Sequence, residues 1–327
     1  MVVAPPNPVR SEKPEPIELP VIDLSADRSE VSKLIVKACE QYGFFKAVHH
    51  GVSDDVIAAM EEEGLGFFTK PVCEKQRAGP AGPFGYGIKS IGFNGDSGEV
   101  EYLLLHTNPS SISQLSHTIS DDPKKFSSAV SGYIEAVKRL ACEILDLMAE
   151  GLGVHDPSLL SNMIRDVDSD SMFRLNRYPP SSFHTPPPPH RATTSTEIGF
   201  GEHTDPQMLT ILRSNDVGGL QICVAGGTWV PVTPDPTAFC INVGDVLQAM
   251  TNGRFMSVRH RALTNGFKYR MSMAYFGAPP PHAWLSVPPE LVTPHRPLLY
   301  RPFNWAEYKK ASYSLRLGDS RLQFFLK

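Results

Sequence analysis

A histidine and an aspartate stand two residues apart at a point where an apolar run begins. They are His203 and Asp205, in the segment FGEHTDPQML, and residues two apart in a strand point to the same face. Two histidines and one carboxylate on one face of the ion form the ligand set of non-haem iron(II) oxygenases. His260 lies 55 residues after Asp205, which is enough chain for several strands to bring it back. The three side chains predict a divalent metal site for iron(II), with zinc as the alternative because zinc binds the same groups.

A second polar pair follows ten residues after His260. Arg270 and Ser272 are again two apart, in the strand-like segment YRMSMAY, so both side chains point to one face. A guanidinium offers a carboxylate two parallel donors, and the serine hydroxyl adds another. The pair predicts a clamp for the carboxylate of a ligand; an ordinary salt-bridged arginine is the simpler alternative.

The elements that would position these residues change type along the chain. Ser29 is the predicted N-cap of the first helix, and Gly43 is its predicted stop. Residues 80–98 are rich in glycine and proline, which predicts a loop or hairpin. Helical spacing of apolar residues predicts helices at 29–43, 53–70 and about 122–152.

The second half of the chain is a series of short β-like runs separated by turn residues. The series begins at SMFRLNRYP and ends at YRMSMAYFGAP, and such a pattern is typical of a sandwich, barrel or jelly roll. Residues 303–325 predict one further helix. One sheet with helices packed on a face would use both halves of the chain.

Composition narrows the classes of partner. The formal net charge is −4, which gives no electrostatic reason to expect binding to nucleic acid or to an anionic membrane. No run approaches the ~18 apolar residues that span a membrane, and the proline-broken N-terminus predicts a flexible tail rather than a signal peptide. Five widely spaced cysteines without a CxxC pair predict reduced thiols in a cytoplasmic or nuclear protein. Nothing in the sequence indicates an oligomeric state.

Taken together, these motifs resemble the plant 2-oxoglutarate and iron(II)-dependent dioxygenases. The matching elements are HTD (203–205), His260, RMS (270–272), LNRYPP (175–180), LPVIDLS (19–25) and QYGFFKAVHHGVS (41–53). The resemblance implies a mainly β protein whose double-stranded β-helix (jelly-roll) core has helical N-terminal and C-terminal parts. The implied organisation is one compact unit with a tail (1–16), an N-terminal helical part (17–165), the core (166–282) and a C-terminal helical segment (283–327).

The resemblance also implies a set of cofactors and contacts. Iron(II) would be held by His203, Asp205 and His260, with O2 as cosubstrate and ascorbate as reductant. The second cosubstrate, 2-oxoglutarate, would meet Arg270, Ser272, the Tyr178 hydroxyl and, with less support, Asn176. The arginine–serine clamp favours iron with a keto acid over zinc, because zinc hydrolases do not need such a clamp.

A narrower resemblance lies in the segment FGYGIKSIGFNGDSGEVEYLLLHTNP (84–109). It looks like gibberellin 2-oxidases, in a region that would contact the substrate rather than the metal. The match implies hydroxylation of gibberellins, which are diterpenoids, at carbon 2, and this inactivates the hormone. Candidate substrate contacts are Tyr86, Tyr102, Tyr308 and Tyr313, although VEYLLLH equally fits a core strand and the C-terminal aromatics equally fit a packed helix.

Two other functions remain open at this point. One is a sibling oxygenase, such as a gibberellin 3- or 20-oxidase or a flavonoid-type hydroxylase. The other is a jelly-roll protein that binds a small molecule without catalysis, against which the intact ligand triad and clamp argue.

Overall fold

The computed structural model describes residues 18–79, 84–90, 97–180 and 197–327. The predicted flexible tail (1–16) and residues 80–83 and 91–96 of the predicted loop or hairpin (80–98) lie outside these ranges. The described helices are α1 (Arg28–Gln41), α2 (Asp54–Thr69), α3 (Val72–Lys75), α4 (Pro109–Ile119), α5 (Pro123–Leu152), α6 (Leu159–Arg165), α7 (Asp245–Met250) and α8 (Trp305–Ser314).

The ends of the first helix follow from capping chemistry. The carboxylate of Asp27 accepts hydrogen bonds from the backbone amides of Ser29 (3.0 Å) and Glu30 (3.1 Å). Asp27 is therefore the N-cap, and the prediction of Ser29 was wrong by two residues, because an aspartate caps as well as a serine does. Gly43 follows the C-cap with φ +64°, which fits its predicted role as the stop.

The long helix and the last helix differ in how well the sequence predicted them. The predicted start of α5, Asp122, is its N-cap, and the helix itself begins one residue later at Pro123. The helix ends at Leu152, and the next residue, Gly153, has a left-handed backbone conformation. Helix α8 ends at Ser314, so the single helix predicted over 303–325 was wrong. The chain turns at 316–319, where the Asp319 carboxylate accepts from the Arg316 amide (2.9 Å), and only a short 3₁₀ helix follows at Leu322–Phe325.

Fourteen strands in the described ranges form three sheets. The strands are β1 (Val21–Asp23), β2 (Phe44–Val48), β3 (Gly85–Ser90), β4 (Ser97–His106), β5 (Met172–Tyr178), β6 (Ile198–His203), β7 (Leu209–Ser214), β8 (Leu220–Cys223), β9 (Trp229–Pro231), β10 (Phe239–Val243), β11 (His260–Leu263), β12 (Arg270–Gly277), β13 (Trp284–Leu285) and β14 (Phe303–Asn304). The predicted loop or hairpin at 80–98 contains strand β3 and the start of β4, which pair with each other.

Strand order places distant parts of the chain side by side. The large sheet has eight strands in the order β1-β2-β10-β7-β12-β5-β4-β3, the small sheet has the order β6-β11-β8-β9, and β13 pairs with β14. The only parallel pair in these sheets is β1 with β2; the other described pairs are antiparallel. The N-terminal strands β1 to β4 thus belong to the same sheet as the strands of the second half.

The two faces of the large sheet have different roles. Helix α5 packs against α1, α2, α4 and α6 and contacts β7 and β12. On β5, Phe173 and Leu175 point to this helical layer and are fully buried. The alternate residues Arg174, Asn176 and Tyr178 line a pocket on the opposite face, between the two sheets. The period-two alternation of the strand therefore separates the apolar core from a polar interior.

The helices and cysteines agree with the composition. No helix within the described ranges is both long enough and apolar enough to cross a membrane. All five cysteines are free thiols, as their spacing predicted.

Candidate metal centre

The three predicted metal ligands converge between two paired strands of the small sheet. His203 ends β6 and stands directly opposite His260, the first residue of β11. The Oδ1 atom of Asp205 lies 3.4 Å from Nε2 of His203 and 3.7 Å from Nε2 of His260. One ligand atom from each residue lies within 4.8 Å of the others, and no second group of this kind occurs in the ranges that the structure describes.

The position of Asp205 differs from the strand argument. Strand β6 ends at His203, so Asp205 lies in the following turn rather than on the same strand face. Arg321 holds this turn from the C-terminal segment, because its Nη1 donates to the Thr204 carbonyl (2.9 Å). The proximity of the two ligands therefore comes from a turn that a distant arginine supports.

Each of the three side chains has one polar atom engaged by the protein and one turned towards the common centre. Nδ1 of His203 lies 2.8 Å from the Gly201 carbonyl, and Nδ1 of His260 lies 3.1 Å from the Val258 carbonyl. A proton on each Nδ1 satisfies these contacts and leaves the Nε2 lone pairs free for a metal. Such outer contacts orient the histidine ligands of metal sites and fix their tautomers.

The Asp205 carboxylate is divided in the same way. Its Oδ2 accepts hydrogen bonds from Thr210 Oγ1 (2.5 Å) and Asn242 Nδ2 (2.8 Å), while Oδ1 faces the two imidazoles. All three of these polar residues are buried. This donor set of two bare imidazole nitrogens and one carboxylate oxygen fits iron(II).

The protonation states also suit metal binding. Burial raises the pKa of Asp205, but the nearby charges of His260 and His203 and the hydrogen bond from Thr210 outweigh burial and hold its pKa well below the usual range. Burial, together with the neighbouring His203, lowers the pKa of His260 to about 4. At neutral pH the site therefore offers a carboxylate and a neutral imidazole, which are the forms that bind metal ions.

The predicted carboxylate clamp lies on the large sheet and faces the same pocket. In the pairing of β12 with β5, Arg270 stands opposite Tyr178 and Ser272 opposite Asn176. Asn176 Nδ2 lies 3.5 Å from Ser272 Oγ, and the Arg270 guanidinium lies 5.2 Å from the centre of the Tyr178 ring. The Tyr178 ring packs closely on strand β6, where a Cβ at Gly199 would lie 2.5 Å from it.

Arg270 is a buried cation without an acidic partner. It is 2% exposed, and no carboxylate in the described part of the chain forms an ion pair with it. Burial lowers the pKa of Arg270, but an arginine remains charged in proteins. A buried charge of this kind is costly unless it is paired, so the geometry favours a ligand carboxylate at this position.

One pocket joins the metal ligands and the clamp. It holds about 540 Å³ of space free of protein atoms, counting the part that opens to solvent. Apolar side chains from both sheets form much of its wall. They include Phe44, Phe200, Leu212, Leu220, Ala262 and Phe276.

The structure does not bring two of the predicted substrate tyrosines to this pocket. The Tyr86 hydroxyl donates to Glu101 (2.8 Å), which also pairs with Lys75 (2.6 Å) on the helical side of the large sheet. The Tyr308 hydroxyl donates to Asp245 (2.7 Å) in the core beneath α8. Both hydroxyls are occupied by buried carboxylates, a pairing that the local sequence does not reveal.

The other two predicted tyrosines have different surroundings. Tyr313 lies on the exposed side of α8, and the Lys309 ammonium lies 5.8 Å from its ring centre. Tyr102 lies at the edge of the pocket, because its ring stacks under the guanidinium of Arg174 at 3.9 Å. Tyr102 therefore contacts a residue that lines the candidate site.

Several residues of the site were not predicted from the sequence. Thr210 and Asn242 hold Asp205, and Arg174 lines the pocket. Asn242 lies in the buried strand β10. A polar residue inside the apolar run FCINV was the available signal, because buried polar groups in strands need partners.

Comparison with known proteins identifies the family. The model of the 2OG-Fe(II) oxygenase superfamily matches residues 169–279, and a model of the N-terminal region of non-haem dioxygenases in morphine synthesis matches residues 19–111. Gibberellin 2-beta-dioxygenase 4 of Arabidopsis thaliana is 56% identical over 313 residues, which are 94% of this chain and 94% of that protein. The chain belongs to the 2OG-Fe(II) oxygenase superfamily. This 2OG-Fe(II) oxygenase therefore uses iron and 2-oxoglutarate as cofactors.

Solved structures of the superfamily share the architecture of this oxygenase. The dioxygenase for auxin oxidation of rice is 28% identical, with a TM-score of 0.78 over 95% of this chain and 100% of that one. JOX2 in complex with 2OG, Fe and JA is 28% identical, with a TM-score of 0.79 over 94% of this chain and 89% of that one. The predicted jelly-roll core with added helices is thereby confirmed.

Proposed function

We propose that this oxygenase hydroxylates gibberellins at carbon 2, with consumption of O2 and 2-oxoglutarate and release of succinate and CO2. The observation that supports a gibberellin as the substrate is the 56% identity to a gibberellin 2-beta-dioxygenase. This identity extends over 94% of both chains and so includes the pocket walls. Hydroxylation at carbon 2 inactivates the hormone. Ascorbate serves as the reductant in the assay. We place the reaction in the cytoplasm, in keeping with the free thiols.

In this proposal the metal is held by Nε2 of His203, Nε2 of His260 and Oδ1 of Asp205. Iron(II) bound with 2-oxoglutarate would activate O2, the oxidant that converts a C–H bond of the substrate into C–OH while 2-oxoglutarate is oxidised to succinate and CO2. The protein's part is position: the carbonyls behind the two Nδ1 atoms fix the imidazole planes, and the donors on Oδ2 of Asp205 fix its carboxylate.

The clamp would bind the carboxylate of 2-oxoglutarate that lies farther from the metal. Arg270 would neutralise its charge, and the hydroxyls of Ser272 and Tyr178, which line the same pocket, would donate to it. Asn176 would orient Ser272. The far end of the cosubstrate is then fixed, so its reactive end meets the metal in one orientation.

The apolar wall would hold the ring skeleton of the gibberellin. Phe200 and Ala262 on the small sheet and Phe276 on the large sheet face the space beside the ligands. Such a surface binds a rigid diterpenoid and excludes water from the reaction. The position of the skeleton against this wall decides which carbon is oxidised.

The test is a coupled product assay. The purified protein is incubated with iron(II), ascorbate, 2-oxoglutarate and a panel of gibberellins, and succinate and hydroxylated products are quantified by mass spectrometry. We expect one succinate for each gibberellin hydroxylated at carbon 2, and Asp205→Ala as the control should form neither product. Hydroxylation at another carbon would contradict the proposal in favour of a sibling oxygenase, and an absence of succinate would favour a binding protein.

A further inference from the structure

The pocket contains a second arginine whose charge the clamp does not use. Arg174 lies on β5 and shares the pocket-facing side of that strand with Asn176 and Tyr178. It pairs with Ala274, whereas Arg270 pairs with Tyr178. The two arginines are thus separated by four residues along the strand direction, or about 13 Å at 3.3 Å per residue.

The contacts of Arg174 hold its guanidinium in place but leave part of it unsatisfied. Nε donates to Oδ1 of Asn176 (2.8 Å), and the guanidinium carbon lies 3.9 Å from the ring centre of Tyr102 and 5.0 Å from that of Phe200. Its Nη2 is buried and has no hydrogen-bond partner. Burial lowers the pKa of Arg174, yet an arginine stays charged.

An unsatisfied buried donor on a fixed cation calls for a ligand. Buried polar groups almost always have partners, and no carboxylate within the described ranges forms an ion pair with Arg174. The guanidinium plane is already oriented by two aromatic rings, so little side-chain freedom would be lost when an anion binds. The chemistry that fits an arginine donor at the wall of an apolar pocket is a carboxylate.

Neither carboxylate of 2-oxoglutarate is available to bind Arg174. In the proposed function, the two carboxylates of 2-oxoglutarate are assigned to the metal and to Arg270, so neither reaches Arg174. Arg261 also lines the pocket, with its Nε donating to Gln221 (2.8 Å) and its guanidinium stacked on Trp229 at 4.2 Å. In contrast to Arg174, none of its nitrogens is among the buried donors without a partner in the described residues. The ligand of Arg174 must therefore be the other substrate.

We propose that Arg174 binds the carboxylate of the gibberellin and so sets which carbon faces the metal. This inference rests on the proposed function. The substrate would lie with its acid group between Tyr102 and Phe200 and with its rings against the apolar wall. Arg174 is then a specificity-determining residue for acidic substrates.

The test compares a gibberellin acid with its methyl ester, which keeps the skeleton but lacks the charge. The kcat/KM of each is measured for the wild type, Arg174→Met and Arg174→Lys, together with the KM for 2-oxoglutarate. Equilibrium dialysis of labelled acid and ester with metal-free protein gives a second readout that is independent of turnover. Arg177→Met is the matched control, because Arg177 lies on the opposite face of β5 and pairs with Glu101.

We expect the wild type to prefer the acid by about 10- to 100-fold, the range for one hydrogen bond to a charged group. Arg174→Met should lose this preference in both turnover and binding, while the KM for 2-oxoglutarate stays within about threefold of the wild type. Arg174→Lys should recover part of the preference. Arg177→Met should keep the wild-type ratio of acid to ester even if it lowers the stability of the protein.

Contrary results separate the two proposals. If Arg174→Met retains the wild-type preference, or if it weakens acid and ester equally while raising the KM for 2-oxoglutarate, Arg174 only positions Asn176 and the anchor is refuted. Should the wild type hydroxylate gibberellin acid and ester equally well, the anchor fails and the proposed function stands. If the wild type neither binds nor hydroxylates any gibberellin, both proposals fail.

Discussion

The two hydrogen bonds that hold Asp205 give the sharpest quantitative prediction. Thr210 and Asn242 both donate to Oδ2 at 2.5 and 2.8 Å, and this leaves Oδ1 for the metal. Replacing Thr210 by Val or Asn242 by Leu keeps the approximate side-chain volume and removes one donor. The freed carboxylate can then rotate, and its buried oxygen loses a charged hydrogen bond worth about 1.5–3 kcal/mol.

The expected result is a weaker metal site with otherwise normal chemistry. Loss of an outer contact to a ligand costs roughly 10- to 100-fold in metal affinity, which is about 1.4–2.7 kcal/mol. The iron(II) concentration for half-maximal activity should rise by that factor for either variant, and the rate at saturating iron should stay close to that of the wild type. The double variant should lose more free energy of metal binding than the two single variants together, because it leaves Oδ2 of Asp205 buried without any donor.

The assay measures activity against iron(II) concentration and, independently, the binding of manganese(II) by electron paramagnetic resonance. Thr210→Ser is the control, because it keeps the hydroxyl and should bind metal as the wild type does. An unchanged metal affinity in both Thr210→Val and Asn242→Leu would refute the argument that these contacts orient the ligand.

Three further predictions concern the clamp, the core and the thiols. Arg270→Lys should raise the 2-oxoglutarate concentration for half-maximal activity by about tenfold or more, because a point charge cannot reproduce two parallel donors; an unchanged KM would refute the clamp. Glu101→Ala leaves the buried Lys75 ammonium unpaired and should lower the free energy of unfolding by about 3–5 kcal/mol, measured by urea titration, with Glu101→Gln expected to cost less. In the native protein a thiol reagent should modify the exposed Cys73 and spare Cys39, whose pKa is raised by complete burial; peptide mass spectrometry after labelling checks this, and equal labelling would contradict the burial.

The site could be predicted from the sequence where spacing carries information. His203, Asp205 and His260 were found because few other functions need two histidines and a carboxylate at such spacing, and the structure brings them together. Thr210 and Asn242 were missed because their role depends on which oxygen of Asp205 they reach. That is a property of the folded turn and not of residue type.

The substrate tyrosines show the limit of reasoning from residue type. A tyrosine in a mixed apolar segment fits a pocket wall or a core position equally well. The buried position of Tyr86 depends on its hydrogen bond to Glu101, which lies on the neighbouring strand of the hairpin. That of Tyr308 depends on its hydrogen bond to Asp245, 63 residues away. Arg174, in contrast, lies two residues before Asn176 on the same strand face, so the alternation of β5 could have revealed it.

The fold was predictable where the pattern is local. The start of α5 was found within one residue because its apolar stripe and cap are continuous in sequence. The pairing of β2 with β10 joins residues about 190 positions apart, such as Ala47 and Phe239. No local periodicity contains that information, since strand partners are chosen by the packing of the whole sheet.

The pairing of β4 with β5 has a consequence for how such enzymes can be recombined. The two strands pair from Glu101–Arg177 to His106–Met172, and Tyr102 from one strand stacks on Arg174 from the other. A chimera joined near residue 165 would place a foreign β4 against a native β5, so the donor's substrate preference would not be transferred intact. Substitutions in these two strands are expected to accumulate together during divergence, and exchanges that keep both strands from one parent should yield the more active hybrids.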